Sequence, residues 1–102
     1  MLRIYDDMLN VLRGVRDVLP KIEGRDVDLA RQLRRAATSV QLNLAEGSGV
    51  GGGHRRQRYL TALGSAKETR ACLQASEALG YIDSVDDDRL DKVIATLVKL
   101  TR

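Results

Sequence analysis

Residues 33–49 read LRRAATSVQLNLAEGSG, and VGGG follows at 50–53. Leu29, Leu33, Ala36, Ala37, Val40 and Leu44 recur at intervals of three and four, the spacing of one helix face. A half-buried strand would alternate every second residue, and this stretch does not. Asp26 is placed to cap the start, so the spacing predicts a helix from near Asp26 to about Glu46. Gly47-Ser48-Gly49-Val50-Gly51-Gly52-Gly53 then holds five of the nine glycines and breaks the pattern. It predicts a flexible loop joining two long helices. The loop also matches G-x-G-x-x-G at Gly47, Gly49 and Gly52. A dinucleotide fingerprint needs a strand before it, and a phosphate loop needs Lys and Ser/Thr after it. Here a helix precedes the glycines and His54-Arg55 follow, which excludes both as leading readings.

Working outward, residues 3–19 carry Ile4, Met8, Val11, Leu12, Val15, Val18 and Leu19 in one helical stripe, with Pro20 expected to end it. Lys21–Gly24 form the expected connection. Downstream, a helix is expected from near His54 to about Leu79, with Gly80 just past its end. Tyr59, Ala62, Leu63, Ala66 and Leu73 lie on one side of it, and Leu60, Gly64, Ala71, Ala75 and Ala78 on another. A helix apolar on two sides is expected to be buried on two sides. Ser84 and Asp87 resemble a capping box, and Asp86, Asp87 and Asp88 suit the positive end of a last helix. Its stripe is Leu90, Val93, Ile94, Leu97 and Leu100. The expected fold class is all-α, an up-down-up-down antiparallel four-helix bundle forming a single domain over residues 1–102.

Composition agrees. The chain has 102 residues, 43% hydrophobic and 30% charged, with three Tyr and neither Phe nor Trp. A β-sandwich of this length spends more aromatic and β-branched residues on its strands. Single Cys72 and single His54 exclude a disulfide within the chain and any Cys- or His-rich metal site. No cofactor is expected. No apolar run reaches the roughly 18 residues of a membrane span, and no signal-peptide stretch opens the chain. A cytoplasmic setting and no membrane partner are the resulting expectations.

Charge is uneven. Residues 24–70 hold nine basic and four acidic side chains, and residues 71–102 hold four basic and six acidic. Thirteen of the seventeen basic residues are Arg, the side chain suited to bidentate phosphate contacts. His54, Arg55, Arg56 and Arg58 cluster where a helix start offers free N–H groups, and they form the best candidate anion site. Arg31 and Arg35 are the second candidate group. A solvated helix surface with subunit salt bridges explains the same charges equally well. Arg31 and Arg35 share the far side of their helix with Thr38, Leu42 and Ala45. That side, together with Leu60, Gly64 and Ala71, is the expected subunit interface. Glu46 and Asn43 read as polar anchors of a helix end, Ser39 and Ser65 as small helix-contact residues, and Cys72 as a packed small residue.

The order of blocks carries a resemblance. Arg34, Arg35, Ala36, Ala37, Ser39, Val40, Asn43, Leu44, Ala45, Glu46, Gly47 and Gly49 fit a pattern of the form R-R-A-A-x-S-[IV]-x-x-N-[IL]-A-E-G-x-G. Tyr59 to Thr69 and Glu77 to Ile82 supply two further blocks. The chain thereby resembles the four-helix-bundle family that includes proteins encoded in bacterial 23S ribosomal RNA intervening sequences. One departure stands at Tyr5-Asp6-Asp7-Met8, where the family usually has a Trp-containing segment. The resemblance implies a homo-oligomer, typically a pentamer around a central channel, and no enzyme activity. Relatives include the accessory variability determinant of diversity-generating retroelements, a basic pentamer that binds nucleic acid and a reverse transcriptase. The expected function is therefore a non-catalytic homopentameric scaffold for RNA or DNA, serving a reverse transcriptase. The alternative is a protein-only adaptor or a ribosome-associated or 23S rRNA-associated protein.

Overall fold

A computed structural model describes residues 3–49, 51–85 and 87–102. Four helices run α1 Arg3–Glu23, α2 Val27–Ser48, α3 Gly52–Ala78 and α4 Asp88–Leu100. Each packs on its chain neighbours, and α4 closes the ring against α1. The molecule is an all-α four-helix bundle measuring 42 × 23 × 20 Å, with no strand among the described residues.

Met8, Ile22, Leu33, Val40, Leu44, Leu90, Val93 and Leu97 are fully enclosed. Burying one such side chain contributes about 1.5–3 kcal/mol. Ala30, Ala37, Ala62 and Ala66 lie among them and allow the helices close approach. The expected α2 stripe is buried except Leu29, which is half-buried, and Ala30 joins it. Of the three tyrosines Tyr59 is buried, and Tyr5 and Tyr81 pack partly buried against the core.

Three element boundaries differ from expectation. Pro20 does not end α1, because the last turn continues through Ile22, whose burial anchors it. Proline removes the N–H that would have reached the Arg16 carbonyl and its ring crowds that carbonyl, yet its own carbonyl still accepts from Gly24 N–H at 3.1 Å. The glycine segment is not a seven-residue flexible loop. Gly47 and Ser48 complete α2, Gly52 and Gly53 begin α3, and the connection shrinks to Gly49–Gly51; Val50 lies outside the described residues. Gly47 is helical and buried because the Tyr59 ring lies against it: a Cβ there would sit 2.5 Å from Tyr59 Cε1. Finally, Ser84 does not cap α4. Asp87 does, accepting from Leu90 N–H at 3.3 Å, and Asp86 lies outside the described residues.

Two caps match the sequence. Asp26 accepts from Leu29 N–H at 3.0 Å. Gly80, at φ +77°, donates to Glu77 O while Tyr81 donates to Ser76 O, the paired bonds that close a helix on a left-handed residue. Leu100 is the exception in the α4 stripe: it is exposed, and Thr101 is buried instead, donating its hydroxyl to Leu97 O at 2.7 Å. The second side of α3 is not buried in the single chain. Gly64, Ala71 and Ala78 are exposed, with Leu60 and Ala75 half-buried.

Candidate nucleic-acid interface

Residues 51–58 are exposed without interruption, so the first turns of α3 present their side chains at the surface. Gly51 precedes the helix and offers no side chain to its first N–H groups. That leaves donors and the positive end of the helix dipole facing outward, next to His54, Arg55, Arg56 and Arg58.

The arginines are also engaged inside the chain. Arg55 donates through Nε to Gly47 O at 3.2 Å. Arg56 donates through Nη2 to Thr101 O at 2.9 Å, tying the start of α3 to the end of α4. Arg58 pairs with Glu46 at 2.7 Å, both side chains about half exposed. Glu46 is thus an anchor of the α2–α3 junction, as its position suggested, and it offsets one of the clustered charges. Asn43 donates to Ser39 O at 2.9 Å, and the Ser39 and Ser65 hydroxyls meet at 2.8 Å between α2 and α3.

Arg31 and Arg35 do not join this cluster. They sit 15 and 11 residues before Glu46 on the same helix, roughly 22 and 16 Å along its axis. Arg31 is 3.7 Å from Asp28, an exposed pair. Arg35 has no ion pair or hydrogen bond among the described residues. A shallow groove of about 400 Å³ does connect the two groups: Arg34, Arg35, Leu42 and Arg58 all line it. Arg34 was not among the expected site residues. Its 3.7 Å pairing with Glu23 of α1 is a tertiary contact without local signal.

Of the expected interface residues, Thr38, Leu42, Ala45, Gly64 and Ala71 are exposed and Leu60 is half-buried. Leu42 is 56% exposed, a large apolar side chain facing outward on the Arg35 side of α2. Val98 of α4, 41% exposed, was missed because its place in the helical pattern adjoins the buried stripe. Cys72 is buried, and burial foremost, then the Glu68 charge, raises its thiol pKa above the usual value. Among the described residues no cluster of His, Cys, Asp or Glu could hold a metal ion, and no helix is long and apolar enough to cross a membrane.

Comparison with known proteins gives two findings. A family model described as 23S rRNA-intervening sequence protein matches residues 2–102. The fold is similar to a crystal structure of a protein with unknown function from the S23 ribosomal protein family of Bacteroides thetaiotaomicron VPI-5482. The TM-score is 0.84 at 16% identity, covering 97% of this chain and 98% of that one. No curated protein matches the sequence.

Proposed function

The chain belongs to the family of 23S rRNA-intervening sequence proteins, and from that premise we propose that it is a non-catalytic homo-oligomeric scaffold that binds nucleic acid. In this reading five copies assemble, and each contributes one exposed basic start of α3. The setting that suits such a body is accessory to a reverse transcriptase, as in a diversity-generating retroelement. The observation that carries the reading is the exposed run at residues 51–58, with four basic side chains on the positive end of a 27-residue helix. Phosphate is favoured there by charge, by free N–H donors and by arginine geometry together.

The test is RNA binding measured across a salt series. The Arg55→Ala/Arg56→Ala/Arg58→Ala variant is expected to bind more weakly and to show a shallower dependence of affinity on salt, because each lost phosphate contact lowers the slope by roughly one. Unchanged affinity and slope would remove the site. A second reading, a protein-only adaptor, draws on the intramolecular bonds of Arg55, Arg56 and Arg58. Co-purification from the native host separates the two: an acidic protein without nucleic acid favours the adaptor.

A further inference from the structure

The seam between α2 and α3 holds a polar groove of about 570 Å³. Gln32, Arg35 and Ser39 line it from α2, Ser65 and Glu68 from α3, and the buried Ala36 lies at its floor. The Ser39–Ser65 contact at 2.8 Å and the Glu46–Arg58 pair fix one antiparallel register for the two helices. Arg35 lies four residues before Ser39, and Glu68 lies three residues after Ser65. Both therefore stand on the same side of the serine contact, at roughly 6 and 4.5 Å along the axes. Opposite charges thus flank the seam at nearly one height. Neither has an ion pair or hydrogen bond among the described residues. Ala36, level with Glu68, contributes only a methyl group, so the seam stays open beside the carboxylate.

The two serines leave a donor over. Ser39 Oγ accepts from Asn43 Nδ2 at 3.2 Å. The Ser39–Ser65 contact uses one of the pair's two hydroxyl protons, and the second has no acceptor among the described residues. The groove therefore offers the Arg35 fork, one O–H and the Gln32 amide as donors, against the Glu68 carboxylate as acceptor. Asp28 and Arg31 close its far end as an ion pair at 3.7 Å. Arg35 and Ser39 also line the neighbouring groove, which runs to Arg58 near the start of α3. The two grooves make one track, roughly 22 Å along α2 from the level of Glu46 to Arg31. Glu46 pairs with Arg58 and Asp28 with Arg31, which leaves Glu68 as the carboxylate on this track without a cation among the described residues.

Resting on the nucleic-acid reading above, we infer that this track takes a single RNA strand, with a phosphate on Arg35 and a guanine base donating to Glu68. Phosphate is repelled by Glu68, whereas a base edge carrying N–H groups is attracted, so the carboxylate marks a base contact within a basic track. Guanine presents two adjacent donors on its Watson–Crick edge, N1–H and the N2 amine, which match the two oxygens of one carboxylate. Cytosine and adenine present an amine beside a ring acceptor, and uracil presents one N–H between two carbonyls. The guanine edge is free only in an unpaired base, hence a single strand and not a duplex. The spare serine proton serves an acceptor oxygen of the same nucleotide.

Binding of single-stranded RNAs about six nucleotides long, within the site size of single-strand binders, tests this. The wild-type protein is expected to bind an adenosine strand carrying one guanosine about tenfold more tightly than the same strand with inosine in that place, because inosine lacks the N2 amine. Glu68→Ala, on an exposed residue, erases that preference and leaves the salt dependence as it was. Arg35→Gln weakens both strands alike and lowers the salt slope by about one. Equal affinity of the wild type for the two strands, or a preference that survives Glu68→Ala, overturns the guanine contact and leaves the nucleic-acid reading standing. Guanosine monophosphate that binds as tightly as the strand overturns the strand as the occupant. A wild type that binds no RNA overturns both readings.

Discussion

Gly47 sets the closest approach between α2 and α3. A methyl group at that position would lie 2.5 Å from Tyr59 Cε1 and 2.8 Å from Cδ1, and the ring is held in the core. Gly47→Ala is therefore expected to destabilise the fold by about 1–3 kcal/mol in denaturant unfolding, the cost of overpacking a closed site. Its next neighbour Ser48 meets the Tyr5 hydroxyl at 3.0 Å, so the start of α1 is tied to the same junction. Glu46 offsets the Arg58 charge at 2.7 Å. The pair is half exposed, so Glu46→Gln changes stability by at most about 1 kcal/mol. It leaves Arg58 uncompensated and is expected to tighten RNA binding and steepen its salt dependence, measured by titration at two or more salt concentrations. Unaltered binding would place the RNA elsewhere. Cys72 is buried, and burial first and then the Glu68 charge push its thiol pKa up. The reactive thiolate is accordingly scarce at pH 8, and alkylation of the folded protein is expected to be far slower than after unfolding.

At the scale of helices, α1 carries a proline that its burial pattern overrides. Pro20 is exposed and Ile22 beyond it is fully enclosed. Pro20→Ala should stabilise the protein by about 1–2 kcal/mol, since the helical penalty of proline outweighs its stiffening of the unfolded chain. A lower melting temperature in the variant would mean that the proline serves the corner it occupies. The same helix shows what a sequence reveals and what it withholds. The stripes Ile4–Met8–Val11–Val15, Leu33–Val40–Leu44 and Leu90–Val93–Leu97 were legible because burial imposes a 3.6-residue period. The Asp26 cap and the Gly80 closure were legible because each rests on a local backbone need. The ends of α1 and α2 and the start of α3 were not; distant packing decides the first two, since Ile22 extends α1 and Tyr59 lies against Gly47 within α2. In the candidate site, the basic cluster could be read from adjacency in the chain. Its partners Glu46, Gly47 O and Thr101 O could not, because Thr101 is 45 residues from Arg56 and meets it only through the bundle.

For the whole molecule, the single chain leaves an apolar and small-residue surface uncovered. Leu42, Val98, Gly64 and Ala71 are exposed on α2, α4 and α3. Surfaces of that kind mark contacts between chains when they are contiguous and rimmed by charge. The bundle itself is small, with a core of Leu, Val, Ile and Ala and one buried tyrosine, so assembly would add stability that the single chain lacks. Thermal stability is then expected to rise with protein concentration, as it does whenever only the folded state associates. The mass in solution bears on this most directly. Light scattering on the purified protein at micromolar concentration is predicted to give a multiple of 11.3 kDa, with five copies the expected number. A mass of 11.3 kDa throughout that range would contradict the account.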